Sequence, residues 1–288
     1  MTTFAPFLDR LIDLALEEDL AGGDVTTLAT VKPDAVAEAE IVAKEPLVVA
    51  GLVPFARVFQ RIDPSLRVKP EVQEGARVDT GDVVVRLSGN ARSLLVGERT
   101  ALNFLMRLSG VATLTRAMAS VLKDHPGTRL VDTRKTTPGW RQLEKDAVRA
   151  GGGRNHRGGL FDGVLIKDNH IAAAGGITAA TERAREAAHH LLKIEVEVST
   201  LDEIREALAA GADVLLLDNM DDARLKEAMD LVREHQRATG KRVVTEASGN
   251  MTIQRLPQVA ALGIDLVSVG ALTHGARSVD LSMKLRLP

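Results

Sequence analysis

The 288-residue chain is 45% hydrophobic with a formal net charge of −2, so it can bury a sizeable core and has no excess of positive charge for general polyanion binding. Six Phe, one Trp and no Tyr leave little surface for stacking single-stranded bases. The absence of cysteine excludes disulfides, thiolate metal sites and a cysteine nucleophile.

In chain order, residues 7–18 predict an amphipathic, acidic helix, unlike a secretory signal. No apolar run approaches the roughly 18 residues needed to cross a bilayer, and a soluble cytoplasmic protein is expected. After the Ala21–Asp24 loop, period-two apolar patterns predict short antiparallel strands at Val36–Ala43, Leu47–Ala50, Arg67–Val72 and Asp82–Leu87. A helix at about Val53–Ile62 interrupts them. A long helical stretch then covers about Ala91–Lys123, with a break expected at Ser109-Gly110 because glycine weakens a helix interior. Residues 1–109 therefore read as an N-terminal α+β domain.

From there the pattern alternates. Six short, Val/Ile/Leu-rich strands are predicted at Arg129–Asp132, Gly163–Lys167, Lys193–Val198, Asp213–Leu217, Arg242–Glu246 and Asp265–Val269. Helices between them, including Leu201–Ala210, Asp221–Glu234 and Thr252–Leu262, imply a parallel sheet with right-handed crossovers. Residues 110–274 form this α/β domain, either a shortened barrel or an open sheet.

The strand ends carry the chemistry. They are Asp132-Thr133-Arg134-Lys135, Lys167-Asp168-Asn169-His170, Glu195 and Glu197, Asp218-Asn219, Glu246-Ala247-Ser248-Gly249-Asn250, and Gly270-Ala271. Active sites of α/β barrels lie at this rim. Between Val131 and Lys167, eight Lys or Arg face four Asp or Glu in a chain that is neutral overall, which suits a small anionic ligand. Arg134, Lys135, His156, Arg157 and Lys167 suit carboxylates or phosphates. Glu197 and Asp218 suit Mg²⁺, sugar hydroxyls or a developing positive charge. Ser248-Gly249-Asn250 and Gly270-Ala271 let backbone N–H groups approach a phosphate. Together they imply two anionic substrates, which phosphoribosyl transfer fits. The plainer alternatives are that Glu195 is the active acid or a structural one, that Asp218-Asn219 caps the next helix, that Gly151-Gly152-Gly153 is a turn or helix stop, and that Arg141, Lys145 and Arg149 line a solvated helix face. His170 and His274 are ambiguous, and His189-His190 reads as a solvated helix end.

The block DTRKTTPGWRQLEKDAVRAGGGRNHRGGLFDGVLIKDNH, from Asp132 to His170, resembles the signature of quinolinate phosphoribosyltransferases. Further similar blocks follow in order: IEVEV (Ile194–Val198), LLLDNM (Leu215–Met220), EASGN (Glu246–Asn250) and SVGALTH (Ser268–His274). EEDLAGGDVTT (Glu17–Thr27) and GERTALNFLMRLSGVAT (Gly97–Thr113) precede them. The resemblance implies an α/β protein with an open seven-stranded α/β barrel. An N-terminal α+β sandwich-like domain is completed by the C-terminal tail, 275–288. It also implies a homodimer with shared active sites, acting on quinolinic acid and phosphoribosyl pyrophosphate with Mg²⁺ in NAD biosynthesis. Arg134, His156, Arg157 and Lys167 would hold the quinolinate carboxylates, with Thr133 a neighbouring substrate contact and Arg99 arriving from the partner subunit. Lys135, Glu197 and Asp218 would be catalytic and serve the phosphoribosyl pyrophosphate and its Mg²⁺. Ser248, Gly249, Asn250, Val269, Gly270 and Ala271 would surround the phosphate.

Two rivals bear on this. A molybdenum-transport-linked relative shares the fold and several motifs, but the Arg134, His156-Arg157 and Lys167 set favours a dicarboxylate. Glu71–Gly89 resembles the strands of lipoyl or biotinyl carriers, which need a lysine at a hairpin tip. No lysine lies between Lys69 and Lys123, so this stretch reads as structural.

Overall fold

The computed structural model describes residues 5–287. Helices α1 (Ala5–Leu20) and α2 (Val25–Thr30) open the chain, followed by β1 (Val36–Ala43), β2 (Leu47–Val48), α3 (Leu52–Ile62), β3 (Arg67–Pro70), β4 (Arg77–Val78), β5 (Val83–Asn90) and α4 (Ala91–Ser120). The alternating part runs β6 (Arg129–Val131), α5 (Arg141–Ala150), β7 (Val164–Ile166), α6 (Asp168–Ala174), α7 (Ile177–Ala187), β8 (Ile194–Val198) and α8 (Leu201–Ala209). It continues with β9 (Val214–Asp218), α9 (Asp222–Thr239), β10 (Val244–Ser248), α10 (Leu256–Ala261), β11 (Leu266–Ser268) and α11 (Ala271–His274). Strand β12 (Leu281–Arg286) closes the chain. The chain packs as two compact units. One comprises the chain up to Arg116 with Thr136–Gly152 and the segment from Leu272 onward; the other comprises Ala117–Lys135 and Gly153–Ala271.

The first unit is built on an antiparallel sheet in the order β12-β1-β5-β3. In β1, Ala37, Ala39, Ile41 and Ala43 are buried while Glu38 and Glu40 point to the other face, the period-two pattern of a half-buried strand. The C-terminal strand pairs with β1 from Glu38↔Arg286 to Ala43↔Leu281, so the tail completes this sheet. Helix α4 runs unbroken through Ser109-Gly110, where the glycine suggested a break. Gly110 meets a packing demand instead: a Cβ there would lie 3.0 Å from Arg277 C and 3.3 Å from Ser278 Cα. Ser109 is fully buried and its hydroxyl exchanges hydrogen bonds with the Ala50 backbone. On α5, Lys145 is buried at 3% exposure, contrary to the solvated face expected. Its neighbour Glu144 is also buried and accepts from Arg107 Nη2 at 3.0 Å and Thr137 N at 3.0 Å. Three-residue and four-residue spacing put Leu143, Glu144, Ala147 and Val148 on the buried face.

The second unit is a parallel sheet in the order β6-β11-β10-β9-β8-β7. All six predicted strands are present, within one or two residues of the expected bounds. In place of a seventh strand, a single bridge joins Arg154 to Val131 on β6. The register places Glu195 beside Val214, Glu197 beside Leu216, and Leu216 beside Glu246. Paired residues of neighbouring parallel strands point the same way, so Glu195, Glu197, Asp218, Glu246 and Ser248 share one face. On the opposite face Val196, Val198, Leu215, Leu217 and Ala247 are buried, as in a sheet covered by helices.

Candidate active site

The site-bearing segments lie where the sequence placed them, past the C-terminal ends of the strands of the second unit. Asp132 immediately follows β6 and is fully buried. Its carboxylate accepts from Asn155 Nδ2 at 2.6 Å and from the backbone N–H of His156 at 2.8 Å. Its own N–H donates to Arg154 O at 3.1 Å, and Arg154 N donates to Leu130 O at 2.9 Å. The 154–156 segment is thereby stitched alongside β6, and it delivers His156 and Arg157 together.

His156 Nε2 lies 3.2 Å from Glu195 Oε2 and 3.4 Å from Glu246 Oε2. Both acids are buried, at 7% and 1% exposure, and Glu195 Oε1 and Glu246 Oε2 have no hydrogen-bond partner. Burial opposes a charge on His156, but Glu195 and Glu246 favour it more strongly, and its pKa is pushed up to about 10. Burial raises the Glu195 carboxyl, with the Glu246 charge adding to the effect. The two shifts compete for one proton, and the trio titrates as one coupled group. Arg157 N lies 2.7 Å from His156 Nδ1.

Arg157 is half-buried and its Nη1 donates to Gly163 O at 2.9 Å. Burial and the like charge of Arg134 lower its pKa, against Glu195 and Asp162. A guanidinium whose charge is disfavoured by burial and by a like charge beside it gains when an anion enters. Asp162 accepts from Gly158 N at 2.6 Å and Gly159 N at 2.9 Å, closing the short loop after Arg157. Leu160 and Phe161 at its tip are 72% and 86% exposed.

Lys167, at the end of β7, pairs with Glu197 on β8. His170 Nδ1 accepts from Lys167 N at 2.9 Å and caps α6, a structural role. His189, His190 and His274 are exposed. Lys135 is exposed, with its N–H on Thr133 Oγ1 at 3.0 Å. Asp218 ends β9 and accepts from Asn219 Nδ2 at 2.7 Å. The cap of α9 is Asp221, which accepts from Arg224 N at 2.8 Å, so Asp218 is not spent on capping. Asn219 and Asn250 both have positive φ, 53° and 51°, a conformation uncommon outside glycine. Asn219 N donates to Ser248 O at 3.0 Å, joining the loops after β9 and β10. Gly249 between them has φ +90°, and a Cβ on it would lie 2.7 Å from Asn219 Cγ. Val269 N donates to Val131 O at 3.0 Å, aligning the segment before Gly270-Ala271. Arg99 lies on α4 in the first unit and is exposed.

Four residues work here without a site role assigned from the sequence: Asp132 and Glu246 were read only as strand-end residues, Glu195 as the active acid or a structural one, and Arg255 not at all. Asp132 anchors the His156 segment, Glu195 and Glu246 flank the imidazole, and Arg255 ties the loops after β9 and β10. The Arg255 guanidinium donates to Met220 O at 2.6 Å, Gly249 O at 3.3 Å and Asp222 Oδ1 at 3.0 Å. For the two acids the signal was a Glu within a predicted buried strand, where an unpaired charge is costly.

An α/β-barrel protein with adjacent cations and carboxylates at the C-terminal strand ends is the class that fold and site define. Residues 24–109 match the N-terminal domain model of quinolinate phosphoribosyl transferase, and residues 111–284 match the C-terminal domain model. The chain belongs to the quinolinate phosphoribosyl transferase family. It is 44% identical over 280 residues to a probable nicotinate-nucleotide pyrophosphorylase [carboxylating] of Bacillus subtilis (strain 168), covering 97% of this chain and 94% of the relative. It is 40% identical to quinolinate phosphoribosyltransferase [decarboxylating] 1b of Nicotiana tabacum, covering 96% and 82%. Its fold matches the crystal structure of NadC from Streptococcus pyogenes with a TM-score of 0.92 at 41% identity, covering all of both chains. Among the described residues, no helix is long and apolar enough to cross a membrane.

Proposed function

We infer that this chain transfers the phosphoribosyl group of phosphoribosyl pyrophosphate to quinolinate, giving nicotinate mononucleotide, carbon dioxide and pyrophosphate for NAD biosynthesis in the cytoplasm. The observation that carries the site assignment is the pair of neighbouring guanidiniums, Arg134 and Arg157: burial first, and then the Arg134 charge, lower Arg157. A ligand with two adjacent carboxylates relieves that repulsion. Arg134, Arg157 and Lys167 hold the ring carboxylates, with Thr133 and His156 in the same group. Arg99, exposed on its helix, reaches the site of a second copy in a homodimer.

In the reaction, the C–O bond from the anomeric carbon to pyrophosphate breaks and the leaving group takes its electron pair. The sugar becomes oxocarbenium-like, and the Glu197 and Asp218 carboxylates face that positive charge. The pyridine nitrogen donates its lone pair to the anomeric carbon. The quaternised nitrogen then accepts electron density as the adjacent carboxylate leaves as carbon dioxide, and the ring carbon takes up a proton. Ser248, Gly249, Asn250, Val269, Gly270 and Ala271 enclose the ribose phosphate, and Lys135 neutralises the pyrophosphate. Glu197 and Asp218 offer hard oxygen donors on one sheet face, a set that fits Mg²⁺ carried in on the pyrophosphate, directly or through water. Bound there, Mg²⁺ would absorb charge on the leaving group.

The test is to mix the protein with Mg²⁺, phosphoribosyl pyrophosphate and quinolinate and to follow nicotinate mononucleotide and carbon dioxide. Equimolar appearance of both, with no product from nicotinate, is expected. A folded protein that yields neither would overturn the reading.

A further inference from the structure

The chain passes from the second unit to the first at Lys135–Thr136 and again at Ala271–Leu272. Each crossing directly follows a segment given to phosphoribosyl pyrophosphate in the proposed reaction, Lys135 in one case and Gly270-Ala271 in the other. A single guanidinium of the first unit holds the chain just past both. Arg107, on α4, donates from Nη1 to Ala276 O and from Nη2 to Thr273 O. Its Nη2 also donates to Glu144 Oε1 at 3.0 Å. Glu144 in turn accepts the Thr137 backbone N–H on Oε2 at 3.0 Å and the Thr137 hydroxyl on Oε1 at 2.9 Å. Arg107 therefore reaches the 272–276 segment directly and the 136–140 segment through Glu144.

Glu144 has no exposed surface, and the Arg107 side chain is 22% exposed. Replacing a buried ion pair by apolar side chains of similar volume is often neutral or stabilising, so stability alone does not account for this one. What the pair supplies is geometry. The planar guanidinium fork fixes three acceptors in one plane, and the two carboxylate oxygens divide between Arg107 and Thr137. A second contact from α4 reaches the same segment: Phe104 stacks on Trp140, with ring centroids 4.5 Å apart and an interplanar angle of 13°. Phe104 and Arg107 are three residues apart on the helix and share a face. Between their two attachment points lies the Pro138-Gly139 turn, with Gly139 at φ +79°.

We propose that Arg107 and Glu144 are positioning residues for phosphoribosyl pyrophosphate: the pair fixes where the chain leaves Lys135 and where it leaves Ala271, and so sets the spacing between the cation that meets the pyrophosphate and the backbone that encloses the ribose phosphate. This rests on the placing of those two segments under the proposed function. Arg157 and Lys167, which hold the quinolinate carboxylates there, belong to segments outside the network. The pair therefore bears on one substrate more than on the other.

The experiment compares three variants of the full chain. Arg107→Lys keeps a charge beside Glu144 and loses the fork. Glu144→Gln keeps the shape and loses one acceptor. Ser109→Ala, on the same helix, removes a buried hydroxyl that exchanges hydrogen bonds with Ala50, and it controls for lost stability. In steady-state kinetics with Mg²⁺, Arg107→Lys and Glu144→Gln should each raise the KM for phosphoribosyl pyrophosphate about tenfold or more, and the KM for quinolinate by no more than about threefold. Ser109→Ala should leave both as in the wild type. A second readout needs no substrate. Trp140 is the only tryptophan of the chain, and acrylamide should quench its emission more readily in the two test variants than in the wild type or Ser109→Ala. Equal rises in the two KM values, or unchanged quenching in the test variants, would overturn the proposal. A folded wild type that turns over neither substrate would instead overturn the proposed function and the positioning role with it, while the quenching would still show whether the pair holds the 136–140 segment.

Discussion

Asp132 and His156 are joined across 24 residues of chain by a hydrogen bond of 2.8 Å from the His156 backbone N–H to the Asp132 carboxylate. The carboxylate is fully buried and also accepts from Asn155. Removing it leaves two part-buried donors without this acceptor, at about 1–2 kcal/mol each. Asp132→Ala should therefore lower stability by roughly 2–4 kcal/mol. In the fraction that remains folded, kcat/KM for quinolinate should fall. Urea midpoints and steady-state kinetics measure the two effects. A variant of unchanged stability and activity would mean that the Asn155–Arg157 segment holds its place without this anchor.

Much of this was legible because each strand of the second unit is a short Val, Ile and Leu run, and its polar end can be read directly. That reading puts Arg134, Lys167, Glu197 and Asp218 at or beside the strand ends, where the structure has them. What was not legible depends on contacts distant in sequence. Nothing local says that Glu195 and Glu246 meet across three neighbouring strands at His156. Nothing near Leu281–Arg286 says that it pairs with Val36–Ala43; there the family resemblance supplied the expectation. Local rules also misled twice, both times because tertiary packing overrode propensity. Gly110 reads as a helix break and is a close-packing position, while Lys145 reads as a solvated cation and is buried.

Gly249 permits a direct check on the rim. It has φ +90°, and a Cβ would lie 2.7 Å from Asn219 Cγ and 3.2 Å from Asn219 Cα. Gly249→Ala adds both backbone strain and a clash, and Asn219 must move. Because Asn219 neighbours Asp218, the KM for phosphoribosyl pyrophosphate should rise at least about tenfold, with only about 1–3 kcal/mol lost in stability. Unchanged kinetics in Gly249→Ala would show that this loop is not part of the phosphate site.

Gly110 tests the packing in the first unit. A Cβ there would overlap the Arg277 carbonyl oxygen and lie 3.0 Å from its carbon. The obstacle is backbone, which cannot rotate aside as a side chain would. Gly110→Ala gains helix propensity of about 1 kcal/mol and loses more to overpacking, about 1–3 kcal/mol or above. The expected result is net destabilisation, seen as a lower urea midpoint. A more stable variant would mean that the Arg277–Ser278 backbone yields easily.

Glu45 gives a pH dependence with a definite sign. The Arg277 guanidinium donates to it at 2.7 Å, and Asp280 N–H donates at 2.9 Å. These hydrogen bonds, Arg277 first, hold the Glu45 carboxyl down at about 2. A glutamate in the unfolded chain titrates near ~4.3. A folded pKa below the unfolded one contributes stability that is complete above the unfolded value and disappears as pH falls through the folded one. The difference in urea midpoint between wild type and Glu45→Gln should therefore be constant above about pH 5.5 and shrink between about pH 4.5 and pH 2. The pair is solvent-accessible, with Arg277 at 71% side-chain exposure, so added salt should narrow the difference at every pH. A difference that widens on acidification would reverse the sign and show that Glu45 is held protonated in the folded chain.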